Sequence, residues 1–322
     1  MSLLSSLRET PAPSVAVEIA ADRVSAARVS VRGGKAVIAA HAVEPLPEGA
    51  LVPSLTSLNT RDRSAVAGAL GRAFERLGGR PRRVGLVVPD PVAKVSLVRF
   101  EQVPPRAPDL DQLVRWQVRK TAPFAIEDAQ VSYVPGLRAA DGQEFIVSLA
   151  RRDIVEEYEG LCREAGAHAG VVDLATFNVI NAVLAGSAPV AADWLLVNVA
   201  ADYASIAILR GEHLIFFRNR ASDTDGTLAD LVHQTAMYYE DRLGGAGFGR
   251  VILAGGAGGG ARQAAEVDHV RRTLEDRLTS PVESVDPRAA AALTDRISAA
   301  PSLLDALAPL VGLLVRGREV HA

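Results

Sequence analysis

VEIAADRVSAA (Val17 to Ala27) and VNVAADYASIA (Val197 to Ala207) lie 180 residues apart and agree at 17/197, 20/200, 21/201, 22/202, 25/205 and 27/207. Each reads as an alternating apolar strand, a tight turn at Ala-Ala-Asp and a second apolar strand, which is the pattern of a hairpin. A further apolar stretch follows each copy, Lys35 to Val43 and His213 to Arg218. The repeat therefore predicts a duplicated three-stranded sheet, one opening each of two lobes. A chain of 322 residues has the length for two such lobes.

Composition fits a chain that buries a core, with 48% hydrophobic and 23% charged residues. A net charge of −3 argues against a basic surface for nucleic acid. Among the 35 basic residues only Lys35, Lys94 and Lys120 are lysines; the arginine excess beside so much alanine reads as a genome bias with no function attached. The single cysteine, Cys162, excludes an intrachain disulfide and a cysteine-based metal cluster, and its helical setting reads as a core thiol. Met1 to Arg8 carries Leu3, Leu4 and Leu7 but no long apolar h-region, so no secretory signal and a cytoplasmic chain are expected. The uncharged run between Asp173 and Asp193 holds Asn178, Asn181, Gly186 and Pro189, and Asp305 interrupts Pro301 to Val315; neither reads as a membrane span.

Between the hairpins the periodicity predicts a helix over Ser64 to Leu77 ending on Gly78 and Gly79, then strands at Val84 to Val88 and Val95 to Phe100. It predicts a second helix over Asp109 to Lys120, stopped by Pro123, and paired strands at Gln130 to Val134 and Phe145 to Ala150 around an Asp141-Gly142 turn. Asp153 and Glu156 have capping-box spacing for a helix that turns Val155, Tyr158, Leu161 and Cys162 inward and stops at Gly166. A further helix leads to a linker at Gly186 to Ala192. In the second lobe, Leu228 to Leu243 is amphipathic through Leu231, Val232, Thr235, Tyr238, Tyr239 and Leu243. Strand Arg250 to Leu253 then enters the run Gly255 to Gly260, a turn that is structural about as often as it binds phosphate.

Four segments in order resemble the PilM-type proteins of type IV pilus assembly, which have the actin-like ATPase fold. They are RWQVRKTAPFAIEDAQVSY (Arg115 to Tyr133), FIVSLARRDIVEEYEGLCREAGAHAGVVDLATFNVINAV (Phe145 to Val183), VILAGGAG (Val251 to Gly258) and LAPLVGLLVRG (Leu307 to Gly317), with the duplicated hairpins at the family's two phosphate-binding positions. The resemblance implies an α/β, ribonuclease H-like duplicated two-lobe fold with a small α+β insertion. Residues 1–83 and 151–190 would form the first lobe, 84–150 the insertion and 191–322 the second lobe, with the C-terminal helix free to return to the first. It also implies a cytoplasmic scaffold, peripheral to the inner membrane, that binds the cytoplasmic tail of a PilN-like bitopic membrane protein and works with the pilus motor and platform. The residues expected near the tail-binding groove beside the insertion are Arg115, Trp116, Arg119, Pro123 and Phe124, against a reading of Trp116 and Phe124 as core packing.

The phosphate positions depart from the family pattern. Glu18 stands for the magnesium-orienting Asp, Ala20 for the Gly and Ser25 for a phosphate-contacting Lys; Asn198 and Ala200 replace the Asp and Gly of the second hairpin. Any nucleotide would meet Glu18, Ala20, Ala21, Asn198, Ala200, Gly255 and Gly256, with Asp22 and Asp202 as weak magnesium candidates or plain turn aspartates. Several lost contacts, each on the order of 1.5–3 kcal/mol, point to a non-hydrolysing pseudo-ATPase with no catalytic residue, no metal and no cofactor. The alternatives are an active ATPase or sugar-kinase-like enzyme with altered Mg-ATP chemistry, a type II secretion component, whose relatives usually continue into a transmembrane helix, and an FtsA-like filament former.

Overall fold

The computed structural model describes residues 13–187, 192–222, 227–256, 260–278, 281–295 and 297–316. The first repeat folds as β1 (Val15–Ile19) and β2 (Arg23–Arg32), followed by β3 (Lys35–Pro45), helix α1 (Arg63–Arg76) and β4 (Arg83–Val88). The insertion follows as β5 (Ala93–Phe100), α2 (Ala107–Arg119), β6 (Ala129–Ala139) and β7 (Gly142–Arg151). The chain then returns through α3 (Arg152–Glu164), β8 (His168–Leu174) and α4 (Ala175–Gly186). The second lobe contains β9 (Asp193–Val199), β10 (Tyr203–Arg210), β11 (His213–Ala221), α5 (Leu228–Leu243), β12 (Arg250–Gly255), α6 (Gly260–Arg277) and β13 (Val282–Ser284). Two last elements, β14 (Ala292–Leu293) and α7 (Pro301–Val315), complete the described chain.

Both lobes use one sheet plan. The first sheet runs β14-β3-β2-β1-β4-β8 and the second β11-β10-β9-β12-β13. In each, the first three strands are antiparallel and the rest parallel, and the repeated residues hold equivalent registers: Glu18 opposes Ser25, and Asn198 opposes Ser205. The turns match as well, with Ala20 N–H donating to Arg23 O and Ala200 N–H to Tyr203 O, both at 2.9 Å.

The central strands β1 and β9 are buried on both faces, which is why they are apolar almost throughout. Val15, Val17 and Ile19 pack outward under α1 and α3, while Ala16 faces α7. In the second lobe Leu195, Val197 and Val199 pack under α5 and α6, and Trp194 and Leu196 face α4. Helices α4 and α7 thus fill the space between the sheets. Gly312 makes their close crossing feasible, because a Cβ there would overlap Asn178 O. Leu307, Leu310, Val311 and Leu314 of α7 close the first lobe's inner core, each contributing roughly 1.5–3 kcal/mol of burial.

Several local expectations are corrected. The strand at 84–88 is β4, sandwiched between β1 and β8, so the insertion starts after Val88 rather than at Val84. No capping box opens α3: its N-cap is Arg151, and Asp153 turns back to pair with that arginine. Ile154 is fully buried on α3, whereas Val155 is only half-buried. Tyr238 is exposed, stacking obliquely on Phe216, while Tyr239 carries the core contact. A capping box does open α5, at Thr227 and Asp230. The stretch 188–191 of the expected linker and 257–259 of the glycine run lie outside the described residues, as do Met1 to Arg8. Among the described residues no helix is long and apolar enough to cross a membrane.

Candidate functional site: a closed cleft and an open groove

Side chains alternate along a strand, so the residues that end the inward rows of β1 and β9 are Glu18 and Asn198. The two hairpin turns bring them to a common cleft with Ala20, Ala21, Asp22, Ala200, Ala201, Asp202 and Gly255. The space between them is about 30 Å³, roughly the share of one water. A triphosphate with its metal needs a pocket of several hundred Å³, more than the space between these described residues offers in this arrangement.

Three features close the cleft. The first is Arg23, whose side chain is only 13% exposed and whose guanidinium meets Glu18 Oε2 at 3.3 Å and Asp22 Oδ1 at 3.1 Å. Its Nε donates to Ser25 Oγ at 3.2 Å. Burial pushes the Glu18 carboxyl up from its ordinary range, with Arg23 opposing that shift. An internal cation thus stands among the carboxylates of the cleft.

The second is a buried polar network across the lobes. Asp90, in the short turn after β4, is 0% exposed. Its Oδ1 accepts the Thr176 N–H at 3.0 Å, and its Oδ2 accepts both the Thr176 hydroxyl and Ser205 Oγ, the latter at 2.5 Å. Asn198 Nδ2 in turn donates to Thr176 Oγ1 at 2.8 Å. Desolvation raises the Asp90 carboxyl, and its three donors counter that. Asn198, expected at a magnesium position, is therefore spent on tying β9 to the start of α4.

The third is the glycine turn. Gly255 N–H donates to Asp305 Oδ1 of α7 at 2.6 Å, and a Cβ at 255 would overlap Val199 O. Gly255 and Gly256 both have positive φ, at 113° and 94°. At Gly255 the need for glycine is met within the protein by its positive φ and by its close approach to β9. Asp202 lies across from Asp22, and burial together with that neighbour lifts its carboxyl to about 6. Among the described residues no group of three or more His, Cys, Asp or Glu side chains is placed to hold a metal. Cys162 is buried, and burial raises its thiol to about 12, the setting of an inert core thiol.

A different concavity lies beside the insertion. The sheet order is β5-β7-β6, and α2 covers only one of its faces through Val114 and Val118 against Phe145, Val147 and Leu149. The other face turns toward the lobes. Ser132, Val134, Ile146 and Ser148 there oppose Val172, Phe177, Ile180 and Leu184 across about 510 Å³. A neighbouring space of about 410 Å³ shares Ser132, Ser148, Val172 and Asp173 and extends the groove to Arg152, Glu156 and Glu159.

Arg115, Trp116, Arg119, Pro123 and Phe124 do not line this groove. They lie on or just after α2, on the opposite side of the insertion's sheet. Trp116 is 58% exposed, with Lys120 Nζ 5.2 Å from its ring centre, and Arg115 pairs with Asp111. Phe124 packs half-buried into the insertion's own core. Helical spacing showed that α2 is amphipathic, but not which sheet face it would cover.

Arg23, Asp90, Thr176, Ser205 and Asp305 were missed as cleft residues. A signal existed for two of them: Asp305 is the one charge in an apolar helix, and Arg23 replaces an uncharged partner, Tyr203, in the other repeat.

Two lobes of one sheet plan, facing each other across paired hairpins, define an actin-like protein. Residues 16–242 match the family of the type IV pilus assembly protein PilM, and the chain belongs to that family. A chain from a PilM-PilN type IV pilus biogenesis complex is similar throughout, with a TM-score of 0.77 and 18% identity over 97% of this chain and 100% of that one. A Bacteroides thetaiotaomicron protein of actin-like ATPase fold and unknown function matches at a TM-score of 0.49 and 9% identity, over 84% of this chain and 89% of that one. The cytoplasmic domain of EpsL, an inner-membrane component of the Vibrio cholerae type II secretion system, matches at 0.46 and 12%, over 75% and 81%.

Proposed function

We propose that this protein is a non-hydrolysing, cytoplasmic scaffold of type IV pilus assembly that holds the tail of a PilN-like membrane protein in the groove beside its insertion. The observation that carries the reading is the contrast between a cleft of about 30 Å³ and a groove of about 510 Å³ with its extension. Membership of the PilM family and likeness to a PilM chain from a complex with PilN support the choice of partner.

The groove's chemistry suits such a tail. Its floor is apolar, through Val134, Ile146, Phe177, Ile180 and Leu184, and its rim carries Glu156, Glu159, Asp173 and Glu212 against Arg152 and Arg316. Asp173 and Arg316 are already paired, which leaves the rim acidic. The cytoplasmic segments of membrane proteins are enriched in Lys and Arg, so an apolar peptide with basic residues complements floor and rim together. Peripheral attachment to the inner membrane would follow from that contact.

Titration of the full chain with a synthetic PilN-like tail tests the groove. Ile146→Arg should weaken binding by about 100-fold, since it places an uncompensated charge on an apolar floor. Trp116→Ala should leave binding unchanged. Equal binding by I146R and the parent protein sinks the assignment. Titration with Mg-ATP tests the cleft, where no heat is expected, and turnover of Mg-ATP to ADP and phosphate overturns the non-hydrolysing reading.

A further inference from the structure

A basic feature sits at the far end of the first lobe from the cleft. Strand β1 runs from Val15 to the cleft hairpin, so its start marks the opposite end of the sheet. There a concavity of about 520 Å³ is lined by Pro13, Ser14, Val15, Gly78, Gly79 and Pro81 together with Arg28, Arg80, Arg82 and Arg83. Arg28, Arg80, Arg82 and Arg83 all border it, and among the described residues no carboxylate lines the space.

Many arginines of the molecule are neutralised in pairs, such as Arg72 and Arg76 on Glu44, Arg210 on Asp193 and Arg288 on Asp286. Among the described residues, Arg28, Arg80 and Arg82 have no such partner. Arg28 Nε is buried and donates to nothing. Its neighbour Arg83 lies over Gly170, where any Cβ would collide with the guanidinium. The end of α1 does not account for this charge. A helix C-terminus offers roughly half a negative charge, and its last carbonyls are already capped by Gly78 N–H and Gly79 N–H, on Glu75 O and Phe74 O.

We propose that this pocket binds a phosphate group carried by a phosphorylated ligand, with Arg28, Arg80 and Arg82 as its donors. Forked guanidinium donors match phosphate oxygens in charge and geometry, and several such contacts give a selective site. The same chemistry is presented by a soluble diphosphate and by a phospholipid headgroup. The site is independent of the pilus-tail reading, since it shares no residue with the groove.

The test uses the full chain, with inorganic pyrophosphate as the probe in calorimetry at low salt and anionic phosphatidylglycerol vesicles against neutral phosphatidylcholine vesicles in sedimentation. Saturable binding of pyrophosphate alone assigns a soluble ligand; cosedimentation with anionic vesicles alone, or with both probes bound, assigns a headgroup. Arg28→Gln with Arg82→Gln should weaken either signal at least about tenfold, with circular dichroism confirming an unchanged fold. Arg106→Gln with Arg288→Gln removes the same charge elsewhere and should leave binding intact. Absence of binding by both probes overturns the proposal, as does equal weakening by the two double variants.

Discussion

Replacing Arg23 with methionine removes the guanidinium that stands between Glu18 and Asp22 while keeping most of the side chain's apolar stem. Glu18 is only 5% exposed and loses a partner at 3.3 Å; Asp22 loses one at 3.1 Å. Breaking a buried pair from one side typically destabilises by about 3–5 kcal/mol because the remaining charge stays desolvated. The Arg23 side chain is 13% exposed, so water reaches the pair at its edge and the lower end, about 3 kcal/mol, is expected. Removing the stranded charge as well, in Glu18→Gln with Arg23→Met, should recover about 2 kcal/mol, a coupling that a double-mutant cycle reads directly. The sign with pH follows from burial, which already raises Glu18 above 4.5 with Arg23 present. In R23M the folded-state carboxyl rises further. The penalty is therefore absent below the unfolded value and grows as pH climbs toward the folded one. Urea unfolding across that range is the assay. A loss under about 1 kcal/mol for R23M at neutral pH, or no recovery in the double variant, refutes the role given to Arg23.

Asp202→Asn should stabilise at neutral pH. The wild-type carboxyl is raised to about 6 by burial and by Asp22, so the folded state binds the extra proton and loses stability as pH rises through that window. With partial solvent access the gain is on the order of 1 kcal/mol, read as a thermal-unfolding difference that disappears near pH 4. Thr176→Val should cost about 2–3 kcal/mol, because it removes the hydroxyl that serves both Asp90 and Asn198, and chemical denaturation should show it. Gly312→Val should destabilise by about 3 kcal/mol or more, since its side chain would overlap Asn178 O and force α4 and α7 apart; a melting temperature within a degree of the parent would contradict that packing.

The duplicated hairpin was legible because it is local: alternation and a turn chemistry repeated 180 residues later specify the same registers in both lobes. Glu18, Ala20, Asn198 and Ala200 were placed at the cleft by the resemblance of these hairpins to the family's phosphate-binding ones. The insertion's boundary was misplaced because β4 is a buried strand, and an apolar run does not say which sheet it joins. The residues expected beside the groove were misplaced for a related reason. Trp116 lies on a helix expected near the groove, but α2 covers one face of a three-stranded sheet and the groove forms on the other.

By itself, then, the amino-acid sequence determined two lobes of one plan, the loss of the usual phosphate-contacting residues and the inert setting of Cys162. Tertiary structure decided what occupies the cleft, because Arg23, Asp90, Thr176 and Asp305 come from distant segments whose meeting depends on how α4 and α7 pack between the sheets. It also decided that some arginines are neutralised and others are not. Pairing is a matter of distance between side chains, and an arginine count carries no distances.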